Sequence, residues 1–136
     1  MTNAPTEKLV ILDTNVLVSA LLTPDGNPSV ILKAVIDGEL VLVYSAAIMS
    51  EYRSVLARPK FSFDALAVLE VLEFIEVFGE MVEPAISDSL LPDEGDRPFY
   101  DTSSTTGVTL VTGNVRHFPS LINVMTPAEY VQTYVS

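Results

Sequence analysis

Cysteine and tryptophan are both absent from the 136 residues, and a single histidine, His117, is present. No disulfide framework can form and no thiolate can hold a metal, so cysteine usage leaves the redox compartment undecided. Basic residues are scarce: seven Lys and Arg stand against 18 Asp and Glu, for a net charge of -11 and a pI ≈ 4.2. So acidic a surface argues against general electrostatic adhesion to nucleic acid or to an anionic membrane, while a local basic patch stays open. Long apolar runs are missing too. Nothing approaches the roughly 18 residues of a spanning helix, and the opening "MTNAPTEKL" lacks the charged-then-apolar order of a signal peptide. The expectation is a soluble, cytoplasmic protein with no membrane contact.

What is present is enough apolar material for one core. Hydrophobic residues make up 49% of the chain, which predicts a single domain over residues 1–136. "KLVILD" (8–13) is a short, β-branched run of the kind buried on both faces in a parallel sheet. "TNVLVSALL" (14–22) then switches to helical spacing before the turn cluster "TPDGN", and a second helix runs from Pro28 to a glycine stop at Gly38. "LVLVYS" (40–45) is a second strand. In "AAIMSEYRSVLARP", Ile48, Tyr52, Val55 and Leu56 share one helical face until Pro59. Residues 64–80 form a longer amphipathic helix with glutamates on its solvated side; its apolar side packs either in the core or against a second copy in a homodimer. "MVEPA" reads as a short strand, "FYDTSSTTG" as a short helix, "VTLVT" (108–112) and "INVM" as strands, and Thr126 and Pro127 as the start of a last helix. Strand and helix alternate without internal repeat, which predicts a three-layer α/β/α sandwich around a mostly parallel sheet.

In such sheets the ligand crevice lies beyond the carboxyl ends of the strands. Asp13 ends the first strand; Thr112, Gly113 and Asn114 follow the third clear one. Asp96 begins the helix leading into that strand, and Glu51 lies about one turn into the helix after strand two, at the edge of its buried stripe. Three carboxylates within about 4 to 6 Å repel by roughly 4 kcal/mol per pair at an effective dielectric near 20, so a shared site must be protonated or bridged. Hard oxygen donors without Cys or His favour Mg²⁺ or Mn²⁺, and a water acidified by such an ion can attack a phosphodiester. Each acid taken singly has a plainer reading: Asp13 and Asp96 as helix caps, Glu51 as a solvated helix charge.

"VILDTNVLVSALL", "SEYRSVLARPKF" and "DRPFYDTSSTTGVTLVTGNVRHFP", in that order and spacing, resemble a PIN-domain ribonuclease of the kind that serves as the toxin of bacterial and archaeal toxin–antitoxin pairs. The resemblance implies a metal-dependent endoribonuclease with Asp13, Glu51 and Asp96 as the core acids and metal ligands. Asn114 would stand at the fourth, often acidic, position, with Asn15 and Thr112 in hydrogen-bonding support. It also implies an antitoxin protein as partner and RNA as substrate. Asp101, five residues past Asp96, competes for the third acid position; spacing to Thr112 favours Asp96. Arg53, Arg58, Lys60, Arg97 and Arg116 cluster around these motifs and suit phosphate contacts. His117 reads chiefly as a loop-holding residue beside Phe118, with a general-base role as the sharper alternative.

Two competing functions keep a place. Neutral Asn114 and the few basic residues suit a catalytically weak domain that binds RNA or a protein partner. A phosphatase or receiver-type phosphate site is weaker, since the chain reads Asp-Thr-Asn rather than Asp-x-Asp after strand one and lacks a late strand-end lysine.

Overall fold

The computed structural model describes residues 8–135; most of the opening segment read above for a signal peptide lies outside them. Strand β1 (Leu9–Leu12) sits at the centre of a five-stranded sheet whose order is β3-β2-β1-β4-β5. Val10, Ile11 and Leu12 have no exposed surface, which explains a run without polar alternation. β2 (Val41–Tyr44) and β4 (Leu110–Val111) flank β1, with Leu9 opposite Val41 and Ile11 opposite Leu110. β3 (Glu80–Met81) and β5 (Val124–Met125) are two-residue edges. All four pairings are parallel, so the sheet is more uniform than the mostly parallel one expected. The third strand in chain order also begins one residue ahead of the "MVEPA" segment.

Helices α1 (Thr14–Leu22), α2 (Asn27–Ile36), α3 (Ala46–Leu56), α4 (Ala65–Phe78), α5 (Arg97–Thr106) and α6 (Pro127–Tyr134) flank the sheet. Their starts follow local chemistry. The Ser45 hydroxyl accepts the Ile48 N–H, Asp64 accepts that of Ala67, and Thr126 with Glu129 closes a reciprocal capping box. α5 starts two residues earlier than the sequence suggested, because Pro98 lies in the first turn, where its missing N–H costs nothing. Gly107, at φ 76, stops it in the left-handed region.

α4 is amphipathic as expected, yet only Leu72 and Ile75 are buried; Leu66, Leu69, Val77 and Phe78 face solvent. Val68, Val71 and Phe74 are half-buried against the core, so its apolar side is split between core and solvent. Among the described residues no helix is long and apolar enough to cross a membrane.

Candidate active site

Strand order places the site. The chain leaves β1 towards β2 on one side and later returns as β4 on the other, opening a crevice at the carboxyl ends of β1 and β4. The Asp13 N–H donates to the Val111 carbonyl at 3.0 Å, which holds the two strand ends level. Thr112 Oγ1 then donates to Asp13 Oδ2 at 2.7 Å and accepts the Asn114 N–H at 3.0 Å. Asp13 occupies the position before α1 but closes no side-chain cap, so the plain capping reading does not describe it. Its residue surface is 6% exposed. Burial pushes its carboxyl above the usual range, while the Thr112 hydroxyl and the nearby Thr14 and Asn15 amides pull the other way.

Asp96 approaches from the start of α5, again without capping the helix. Its Oδ2 is buried and has no hydrogen-bond partner among the described residues. His117 Nδ1 stands 3.5 Å from that oxygen, an ion-pair distance that completes no hydrogen bond. The Asp96 carboxyl is also held above its ordinary range, first by burial and then by the negative charge of Asp13. An unpartnered buried carboxylate oxygen that feels a second carboxylate is costly unless something positive arrives.

Glu51 is tied in from a third element. Thr14 Oγ1 donates to Glu51 Oε2 at 3.3 Å, linking the residue after Asp13 to α3. Next to Glu51, the fully buried Tyr52 donates its hydroxyl to the Leu12 carbonyl at 2.6 Å, at the very end of β1. The Tyr52 phenol is pushed far up by burial and by the charges of Asp13 and Glu51, so both acids lie close to it. Sequence reading placed Tyr52 on a buried stripe and Thr14 at a helix start but missed both cross-links. The available signal was adjacency: Thr14 follows one candidate acid and Tyr52 another.

The expected convergence of three acids is therefore only partly present. Among the described residues no group of three or more Asp, Glu, His or Cys side chains is gathered closely enough to hold a metal ion. Asp13 and Asp96 feel one another, whereas Glu51 is engaged by Thr14. Asn114 is exposed at the rim, its backbone held by Thr112. Asp101 points elsewhere: its Oδ1 accepts the Ser87 N–H at 3.2 Å and faces Arg97 at 3.9 Å. Among the basic residues, Arg53 is paired with Glu76 and Arg97 with Glu94, while Arg58, Lys60 and Arg116 form no ion pair among the described residues.

The donor set fits a hard divalent cation. Asp13 and Asp96 offer carboxylate oxygens, one of them without a hydrogen-bond partner among the described residues, and Mg²⁺ commonly takes one or two carboxylates and keeps several waters. Thiolate and a second imidazole are lacking, which leaves Mg²⁺ or Mn²⁺ as the matching class.

A PIN-domain family model matches residues 9–116, and the chain belongs to the PIN-domain family. An uncharacterized protein of Methanocaldococcus jannaschii is 26% identical over 108 residues, covering 77% of this chain and 70% of that protein. The fold is similar to the crystal structure of VapBC2 from Rickettsia felis bound to a DNA fragment from their promoter. That match has a TM-score of 0.58 and 15% identity, covering 87% of this chain and 98% of that chain.

Proposed function

We propose that the chain is a metal-dependent endoribonuclease that hydrolyses RNA phosphodiester bonds, and that it acts as the toxin of a toxin–antitoxin pair. The observation that carries this reading is the buried, unpartnered Asp96 Oδ2 beside the charge of Asp13. Those two carboxylates would hold Mg²⁺ or Mn²⁺, with Glu51 joining from α3; when bound, the ion offsets charge on the phosphate and lowers the pKa of an attacking water. Thr112 fixes the rotamer of Asp13 and favours its ionised form. Tyr52 anchors the strand end from which Asp13 projects. Asn114, at the rim, offers an amide to phosphate or base oxygens, and Arg58, Lys60 and Arg116 supply phosphate contacts that place the strand. Unpaired RNA suits a crevice of this kind, because its backbone and bases are both accessible. Family membership and the VapBC2-like fold support the toxin role and an antitoxin as partner.

The test is cleavage of an unstructured RNA with Mg²⁺ or Mn²⁺ by wild type and Asp13→Asn, each purified free of contaminating nuclease. Loss of cutting with thermal unfolding retained is the expected result; equal cutting by both proteins refutes the mechanism.

A second reading, a catalytically weak PIN domain that binds RNA or a protein, is favoured by Glu51 being held on Thr14 and by neutral Asn114. Calorimetry separates the two. Heat from Mn²⁺ binding that disappears in Asp96→Asn supports the nuclease, and no heat at millimolar metal supports the binding domain.

A further inference from the structure

A second hollow, of about 910 Å³, opens beyond the ends of β2 and β3. Ala46 and Ala47 from the first turn of α3 form one wall, and Pro98 of α5 stands in another. Met81, Val82 and Ile86, on the chain leaving β3, complete the apolar surface. Both helices also carry or adjoin candidate acids: Glu51 follows Ala47 by one helical turn, and Asp96 immediately precedes α5. The hollow and the candidate acids Glu51 and Asp96 are thus carried by the same two helices.

Side chains of α5 hold the outer wall in place. Thr105 Oγ1 accepts the Ala85 N–H at 2.9 Å and Asp101 accepts that of Ser87. Arg97 donates to the carbonyls of Ser87 and Ser89 at 2.8 and 2.7 Å, to the Ser87 hydroxyl at 3.0 Å, and to both oxygens of Glu94 at 2.7 and 2.8 Å. Those bonds match the five N–H groups of a guanidinium, so Arg97 has no donor left for a phosphate. The unspent charge here is negative. Glu83, Glu94 and Asp101 all line the hollow; Arg97 holds Glu94 and Asp101 accepts the Ser87 N–H, whereas Glu83 makes no hydrogen bond or ion pair among the described residues.

An apolar slot with a carboxylate acceptor and no available cation repels phosphate and suits a flat, neutral ring that carries an amino group. We infer that the hollow is a base-recognition subsite that takes an unpaired, amino-bearing nucleobase of the RNA, with Glu83 accepting from the exocyclic amine and uracil disfavoured. This rests on the nuclease reading for the identity of the strand, but binding in the hollow is measurable without cleavage.

Cytidine and uridine differ chiefly in that amine, so the full chain, free of metal, is titrated with each nucleoside while backbone amide NMR shifts are followed. The expected result is shifts at Ala47, Val82 and Glu83, with cytidine bound roughly tenfold more tightly than uridine, as one well-placed base contact provides. Glu83→Gln should erase that ratio, and Ala47→Leu, which crowds one wall of the slot, should weaken both responses. Equal binding of the two nucleosides, or silent slot amides up to the solubility limit, overturns the inference. So does a slot that ignores nucleosides but responds to N-acetylarginine methylamide, which marks it as a seat for a basic side chain of a protein partner. On a random RNA pool, wild type should enrich amino-bearing bases at one position beside the cut, and Glu83→Gln should flatten that preference. If wild type cuts no RNA yet cytidine selectivity persists, the nuclease reading falls and the base subsite stands.

Discussion

Thr112→Val is the sharpest probe of how Asp13 is held. Valine keeps the branched shape of a fully buried side chain and removes one oxygen, which both donates to Asp13 at 2.7 Å and accepts the Asn114 N–H at 3.0 Å. A hydrogen bond to a charged group contributes about 1.5–3 kcal/mol and a neutral one about 0.5–1.5 kcal/mol, so the variant should lose about 2–4 kcal/mol at neutral pH without metal. For a domain of this size that is a fall in Tm on the order of 10 °C, read by calorimetry or by circular dichroism. Thr112→Ser, which keeps the hydroxyl, should lose only about 1 kcal/mol through the missing methyl. The bond favours ionised Asp13, so the Val penalty should be full above the raised Asp13 pKa and shrink as pH falls through it. A Val variant no less stable than the Ser variant at neutral pH, or a penalty that does not change with pH, refutes the claim that Thr112 acts by stabilising the Asp13 carboxylate.

Three further outcomes are expected. Because Asp13 and Asp96 both titrate above the ordinary carboxylate value of 3.8 in the fold, the folded state binds more protons across that interval. Metal-free stability should then decline as pH rises from about 4 through the raised values, and Asp96→Asn should flatten the decline in urea titrations at several pH values. Gly79→Ala should destabilise by about 3 kcal/mol, since an added Cβ would lie 2.4 Å from the Ile75 carbonyl oxygen and 2.8 Å from that of Leu42, both backbone atoms; chemical denaturation measures it. Arg97→Ala should release the segment over residues 85–89, seen as faster amide exchange at Ala85 and Ser87 with β1 amides unchanged.

Much of the sheet was legible because a strand buried on both faces leaves a continuous apolar run, as at Val10, Ile11 and Leu12. Adjacency of Asp13 and Thr112 was legible for a related reason, since successive parallel strands bring their carboxyl ends to one side. The edges were harder. β3 and β5 are two residues each, too short to leave a period, and their positions depend on neighbours rather than on their own side chains. α4 shows the converse limit: its pattern marks an amphipathic helix, but nothing in that pattern says that full burial is confined to Leu72 and Ile75. Side-chain links such as Thr14 to Glu51, or Asp101 to the Ser87 amide, join residues 37 and 14 apart and carry no local signature. They decide which acid faces the crevice and which serves the wall beside it.

The Tyr52 hydroxyl has a mechanical consequence. With its bond to the Leu12 carbonyl and the Thr14 link to Glu51, α3 is braced at two neighbouring points to the β1–α1 junction, so Asp13 and Glu51 ride on one frame. Asp96 belongs to a different one, entering through the short turn at Glu94–Asp96 and strapped to the neighbouring segment by the residue that follows it. The distance from Asp96 to the other two acids is therefore set by how α5 and its leading turn seat against the sheet, not by the brace that α3 and β1 share.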